Sequence, residues 1–157
     1  MSTPAVISIR NQGALELIRA LLQQSVTIRL RVSGISMLPL ISEGDLVEVS
    51  PVEEKKLRRG DIVFFCDQQG NPFMHRLHRC QSDLDNVLLV QTKGDACAWY
   101  DPAVPVNRVF GRVQRIMGER GTTDLRAPII RWRARLLVAR TTSFFLLRRT
   151  VKMYGLF

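Results

Sequence analysis

Apolar positions change their period at Ser25. Over residues 14–24, Leu15, Ile18, Leu21 and Leu22 recur at helical spacing while Glu16, Arg19 and Gln23 fall opposite. That arrangement predicts a short amphipathic helix packed on the body. Beyond Ser25, Val26, Ile28, Leu30 and Val32 alternate with Thr27, Arg29 and Arg31, the period of a half-buried strand. This strand runs into Ser33–Pro39, SGISMLP. ISEGD then reads as a turn and LVEVS as a strand. The polar link PVEEKKLRRGD ends on Gly60-Asp61, a turn signal ahead of the apolar run IVFFC at 62–66. After the turn QQGNP (68–72), the stretches FMHRLHRC, VLLVQ and RVFGRVQRIM add short strands at turn-rich intervals. The succession predicts a mainly β domain.

After Gly121 the character shifts. From Ala127 the chain reads as one or two helices, with Pro128 in the first turn, where its missing N–H does no harm. At 100° per residue, Ile130, Leu136, Leu137, Phe144, Leu147, Val151 and Tyr154 share a side, with Arg131, Arg135, Thr142 and Arg149 opposite. The expected division is an N-terminal segment with a short helix (1–24), a β domain (25–120) and a basic amphipathic helical tail (121–157).

Charge follows this division. Seven of the 23 Lys/Arg lie in 127–157 with no acid beside them, which leaves 16 basic against 14 acidic residues in 1–126. A basic excess confined to the tail predicts that an anionic membrane surface, if one is met, is met there. Aromatic residues do not interleave with the basic residues of the body, so no nucleic-acid surface is expected. No window reaches about 18 uninterrupted apolar residues, and the start MSTPAVISIRNQ lacks the basic-then-apolar plan of a secretory signal. The expectation is a cytoplasmic or peripherally membrane-associated protein. Cys66, Cys80 and Cys97 are an odd, widely spaced set, read as reduced thiols. With His75 and His78 they make no recognised zinc spacing, so neither metal nor cofactor is expected.

The candidate chemistry is nucleophilic. Ser36 sits between a glycine and a proline on a bend at the end of a strand, where a hydroxyl can be presented to a substrate. A serine hydroxyl needs a base to take its proton as it attacks. The two histidines lie on one predicted strand three residues apart, so they should project from opposite faces and at most one can reach Ser36. A carboxylate on the far ring nitrogen would hold the tautomer, and Asp95 or Asp101 can supply it. Lys93 is a further candidate base, provided burial removes its charge.

Set side by side, these stretches resemble the type I signal peptidases, whose fold is shared with the self-cleaving repressor peptidases. GISMLP followed by EGDLVEV is similar to the Ser-Met-x-Pro box and its glycine-aspartate strand, and RRGDIVFF to the box after it. MHRLHR stands where bacterial enzymes have a lysine before arginine and where endoplasmic-reticulum and archaeal-type enzymes have histidine. KGDACAWYD is similar to the aspartate box of that histidine type, and VFGRV to its closing strand. The likeness spans about residues 26–117, with the boxes in order. It implies Ser36 as nucleophile, His75 as general base, Asp101 as the aspartate serving the histidine and Asp95 in support. His78 is left structural, and the Ser36 N–H serves the oxyanion hole.

The implied fold is a signal-peptidase/repressor-peptidase-like β domain with a short N-terminal helix and a basic C-terminal helical tail. The implied activity is a serine endopeptidase cleaving a leader or signal segment from a peptide or protein. Members of that family carry a membrane-spanning segment before the serine box. About 25 residues precede the first strand here, amphipathic at best, so dedicated maturation of one substrate fits better than general signal removal. Two alternatives stand beside it. A self-cleaving repressor-like peptidase needs a DNA-binding domain that these residues are too few to hold. The other is an inactive membrane-surface or peptide-binding module on the same scaffold.

Overall fold

The computed structural model describes residues 6–7, 12–132 and 134–138. After a two-residue strand β1 (Val6–Ile7) comes the helix α1 (Gln12–Gln23), then β2 (Ile28–Arg31) and β3 (Leu46–Pro51). The strands β4 (Ile62–Cys66), β5 (Pro72–Ser82), β6 (Leu88–Lys93), β7 (Val104–Pro105), β8 (Val109–Gly118) and β9 (Gly121–Asp124) follow. Among the described residues these form one sheet in the order β1-β2-β3-β8-β4-β5-β6-β7, with β9 paired to β8. All pairings are antiparallel except β1 with β2. The mainly β domain and its short N-terminal helix are as expected. Residues 121–124 are the exception: assigned to the tail, they form a strand that closes a hairpin on β8.

The strand β4 explains how so small a sheet builds a core on both faces. Ile62 and Phe64 join one buried cluster with Ile18 and Leu22 of α1, Leu30, Met37, Ile41 and Val47. Val63 and Phe65, pointing the other way, join a second cluster with Leu57, Leu77, Val90 and Val104. All five residues of β4 are buried, which is why the strand reads as a continuous apolar run and not as an alternation. A strand covered on both faces needs apolar residues on both; β2, whose Arg31 is exposed while Ile28 and Leu30 are buried, is covered on one. Registers slip beside β4, between Phe64 and Phe65, and again on β5, between Leu77 and Arg79. Bulges of this kind bend a strand and re-aim its side chains.

The face expected of the tail is corrected. Val138 is buried, and Ile130 and Ala134 are partly so, at i, i+4 and i+8, while Leu136 and Leu137 stand 42% and 48% exposed. The helical stretch approaches β4 at Gly60, where a Cβ would lie 3.3 Å from that of Ala134. Close approach by backbone atoms on one side decides the buried face, and summed hydrophobicity does not report it. Phe144, Leu147, Val151 and Tyr154 lie outside the described residues. Among the described residues no helix is long and apolar enough to cross a membrane.

Candidate active site

The loop after β2 carries Ser36. Gly34 takes φ +99°, a left-handed conformation that only glycine adopts without strain, and this turns the chain out of the strand. Met37 and Ile41 then anchor the loop in the first core cluster. Ser36 is left partly exposed between two fixed points, with Ile35 beside it at 65% exposure. Its carbonyl accepts the Ala96 N–H at 2.9 Å, tying the loop to the turn after β6. Among the described residues the Ser36 N–H donates to no backbone acceptor, leaving a donor beside the hydroxyl.

The histidine comes from β5. Paired across the strands with Val63, His75 lies on the face of the second cluster and packs against Phe65 and Phe73. Its ring is buried, and its Nε2 stands 3.0 Å from the Ser36 Oγ. On the far side Nδ1 is 2.7 Å from the Asp101 Oδ2, which also accepts the Thr92 hydroxyl at 2.6 Å. Burial works against the Asp101 carboxylate, but the hydrogen bonds from His75 and Thr92 outweigh it and hold its pKa below the ordinary value. An ionised carboxylate can only accept, so Nδ1 bears the proton and Nε2 is free to accept from the serine. The three residues span 65 positions of sequence in one continuous hydrogen-bonded chain.

Of the two aspartates on offer, Asp101 meets the histidine. Asp95 does not: its carboxylate receives Arg76 Nε at 2.8 Å and Nη2 at 2.6 Å, while Arg76 Nη1 donates to the Gly60 carbonyl at 2.8 Å. Expected in support of the site, Asp95 acts one residue along the strand, where it neutralises a buried arginine. The side chain after His75 points to the opposite face, so its partner must too. Lys93 is buried, with its ammonium 5.8 Å from the centre of the Tyr100 ring. It is His75 whose nitrogen meets the Ser36 hydroxyl.

His78 is buried as well, edge-on to Tyr100 with ring centres 5.1 Å apart, and its Nδ1 has no hydrogen-bond partner among the described residues. From His75 through His78 the strand β5 is buried on both faces, with a bulge between Leu77 and Arg79. Burial, with Lys93 and Arg76 nearby, pushes the His78 pKa down to about 4. Above pH 6.5 it is neutral in both folded and unfolded chains. As the pH falls from about 6.5 to about 4, the unfolded chain takes a proton that the folded one refuses, so stability drops. The drop attributable to His78 is up to roughly 3 kcal/mol and levels off below the folded pKa. Urea midpoints of wild type and His78→Phe at pH 7 and pH 4.5 check this: the variant should lose distinctly less on acidification. Equal losses would remove His78 from the account.

Two contributors escaped the sequence reading. Thr92 is a polar residue at a buried position of β6, and its one signal was that it interrupts an apolar alternation. Gly94 is the other. A Cβ there would stand 2.7 Å from the Ser36 carbonyl oxygen and 2.6 Å from the Cys97 Sγ. Gly94→Ala should therefore displace the serine loop, lowering acylation of Ser36 by at least about tenfold while costing roughly 1–3 kcal/mol, the usual range for overpacking. Unchanged acylation with an unchanged melting temperature would show that the loop yields without cost.

Among the described residues no three His, Cys, Asp or Glu side chains are arranged to hold a metal ion. The family model described as Peptidase S24-like matches residues 2–91, more than half of the chain, a span that includes Ser36 and His75. No curated protein matches the chain.

Proposed function

The chain belongs to the Peptidase S24-like family, a serine-peptidase type of hydrolase, and from that premise we propose an endopeptidase that works through Ser36, His75 and Asp101. The observation that carries the proposal is the pair of distances at His75: 3.0 Å from Nε2 to Ser36 and 2.7 Å from Nδ1 to Asp101. In this reading Nε2 takes the hydroxyl proton as Oγ adds to the scissile carbonyl. Asp101 stabilises the imidazolium through its hydrogen bond, without taking the proton. The Ser36 N–H faces the developing oxyanion. Nε2 then returns the proton to the departing amine, and the acyl group on Ser36 is released by water activated the same way.

The substrate we propose is a leader or signal segment of a peptide or protein, as the likeness to histidine-type signal peptidases implies. Contact with an anionic membrane surface belongs to this reading. Exposed Ile129, Trp132 and Leu136, three and four residues apart and flanked by Arg131 and Arg135, support it. Labelling with a serine-directed acylating probe, located by peptide mapping, tests the core of the proposal. Stoichiometric label on Ser36 supports it; no label on correctly folded protein overturns it in favour of an inactive module. Intact mass after long incubation without substrate separates it from self-cleavage.

A further inference from the structure

A cavity of about 500 Å³ lies between the sheet and the helical residues 128–132 and 134–138, and neither Ser36, His75 nor Asp101 lines it. Its volume falls within the range of small-molecule sites, about 300–1,000 Å³. One part of the wall is apolar: Leu40, Ile62, Val113, Leu125, Ile130 and Leu137. Seven arginines, two aspartates and Thr123 are also among the lining residues. Arg76 is neutralised by Asp95, Arg112 by Asp61 and Arg126 by Asp124. Arg58, Arg131 and Arg135 form no ion pair with another described residue.

We propose that this cavity binds a single-chain anionic amphiphile, an acyl or alkyl chain ending in a carboxylate or phosphate. The chain would lie along the apolar wall and the head on Arg58, Arg131 and Arg135. Guanidinium groups suit both heads because their planar fork can give two parallel hydrogen bonds. A peptide fits poorly. The strands beneath the cavity, β4, β5 and β8, are interior to the sheet, so their backbone groups are already paired. A peptide lying there would bury its own N–H and C=O groups without a sheet edge to satisfy them. A hydrocarbon chain has no such groups.

Calorimetric titration of the full chain with decanoate and with decyl phosphate, each below its micellar concentration, tests this. Saturable one-to-one binding of either supports the cavity, and the tighter ligand identifies the headgroup. Neutral 1-decanol should bind at least about tenfold more weakly, since charged hydrogen bonds are lost. The double variant Arg131→Gln/Arg135→Gln should weaken decanoate by a similar factor. Thr123→Phe, which places a ring inside the cavity, should abolish binding, and thermal unfolding of both variants checks that the fold persists. Equal affinity for decanoate and decanol overturns the proposal. So does undiminished binding in the folded variants, retention on phosphatidylglycerol vesicles without any binding of the monomeric ligands, or preference for an acidic-apolar peptide over them.

Discussion

Replacing His75 by alanine is expected to slow acylation of Ser36 by about 10²–10⁴-fold, the usual contribution of a positioned general base. Ser36→Ala should lose the reaction altogether, because Ser36 Oγ is the oxygen that meets the Nε2 of His75 among the described residues. Asp101→Asn is the more discriminating change. An amide in place of the carboxylate offers its NH₂ to Nδ1, which drives the ring proton to Nε2 and leaves the serine facing a donor. The loss should therefore approach that of His75→Ala even though the shape of the site is kept. Thr92→Val should cost less, since it removes one of two hydrogen bonds to the Asp101 carboxylate and leaves the His75 contact in place. Second-order acylation rates measured with one probe across the four variants decide the matter. Asp101→Asn at the wild-type rate would sink the role assigned to Asp101, and His75→Ala at that rate would sink the triad.

Arg76 and Asp95 carry the largest expected effect on stability. Both side chains are nearly withdrawn from water, at 4% and 7% exposure, and they meet through two hydrogen bonds. Removing one member leaves the other charged, buried and unpaired, which costs about 3–5 kcal/mol. For a domain whose whole stability is about 5–15 kcal/mol, that is a large share, and a melting point lower by roughly 10 °C is expected. Arg76→Ala carries a further penalty, because the Gly60 carbonyl loses its donor. Arg76→Leu/Asp95→Leu should recover much of the loss, since neither charge is then stranded. Urea unfolding of the single and double variants measures the coupling. A single variant within about 0.5 kcal/mol of wild type would mean that water reaches the pair and screens it. The pair also fixes β5 one residue beyond His75, so weak acylation in a folded Asp95→Ala protein is expected to follow from a displaced ring.

Local pattern alone determined much of this protein. The change of period at Ser25, the apolar run IVFFC and the turn signals at Gly60-Asp61 and QQGNP specify α1, β2, β4 and the hairpin into β5, because each depends on neighbours within a few residues. The stretches that carry Ser36, His75 and the aspartates were legible through the resemblance they bear to known peptidase boxes. Three things were decided only by the tertiary structure. Asp101, and not Asp95, meets His75 because adjacent residues of a strand face opposite ways, so the partner of Arg76 is carried to the far side from the partner of His75. The helical residues 128–132 and 134–138 turn Ile130, Ala134 and Val138 inward, and not Leu136 and Leu137, because the close approach at Gly60 outweighs the hydrophobic sum. Residues 121–124, polar and too short to show a period, become a strand because β8 offers them an edge. A period records what a residue needs; which partner satisfies the need is set by chain that returns from tens of residues away.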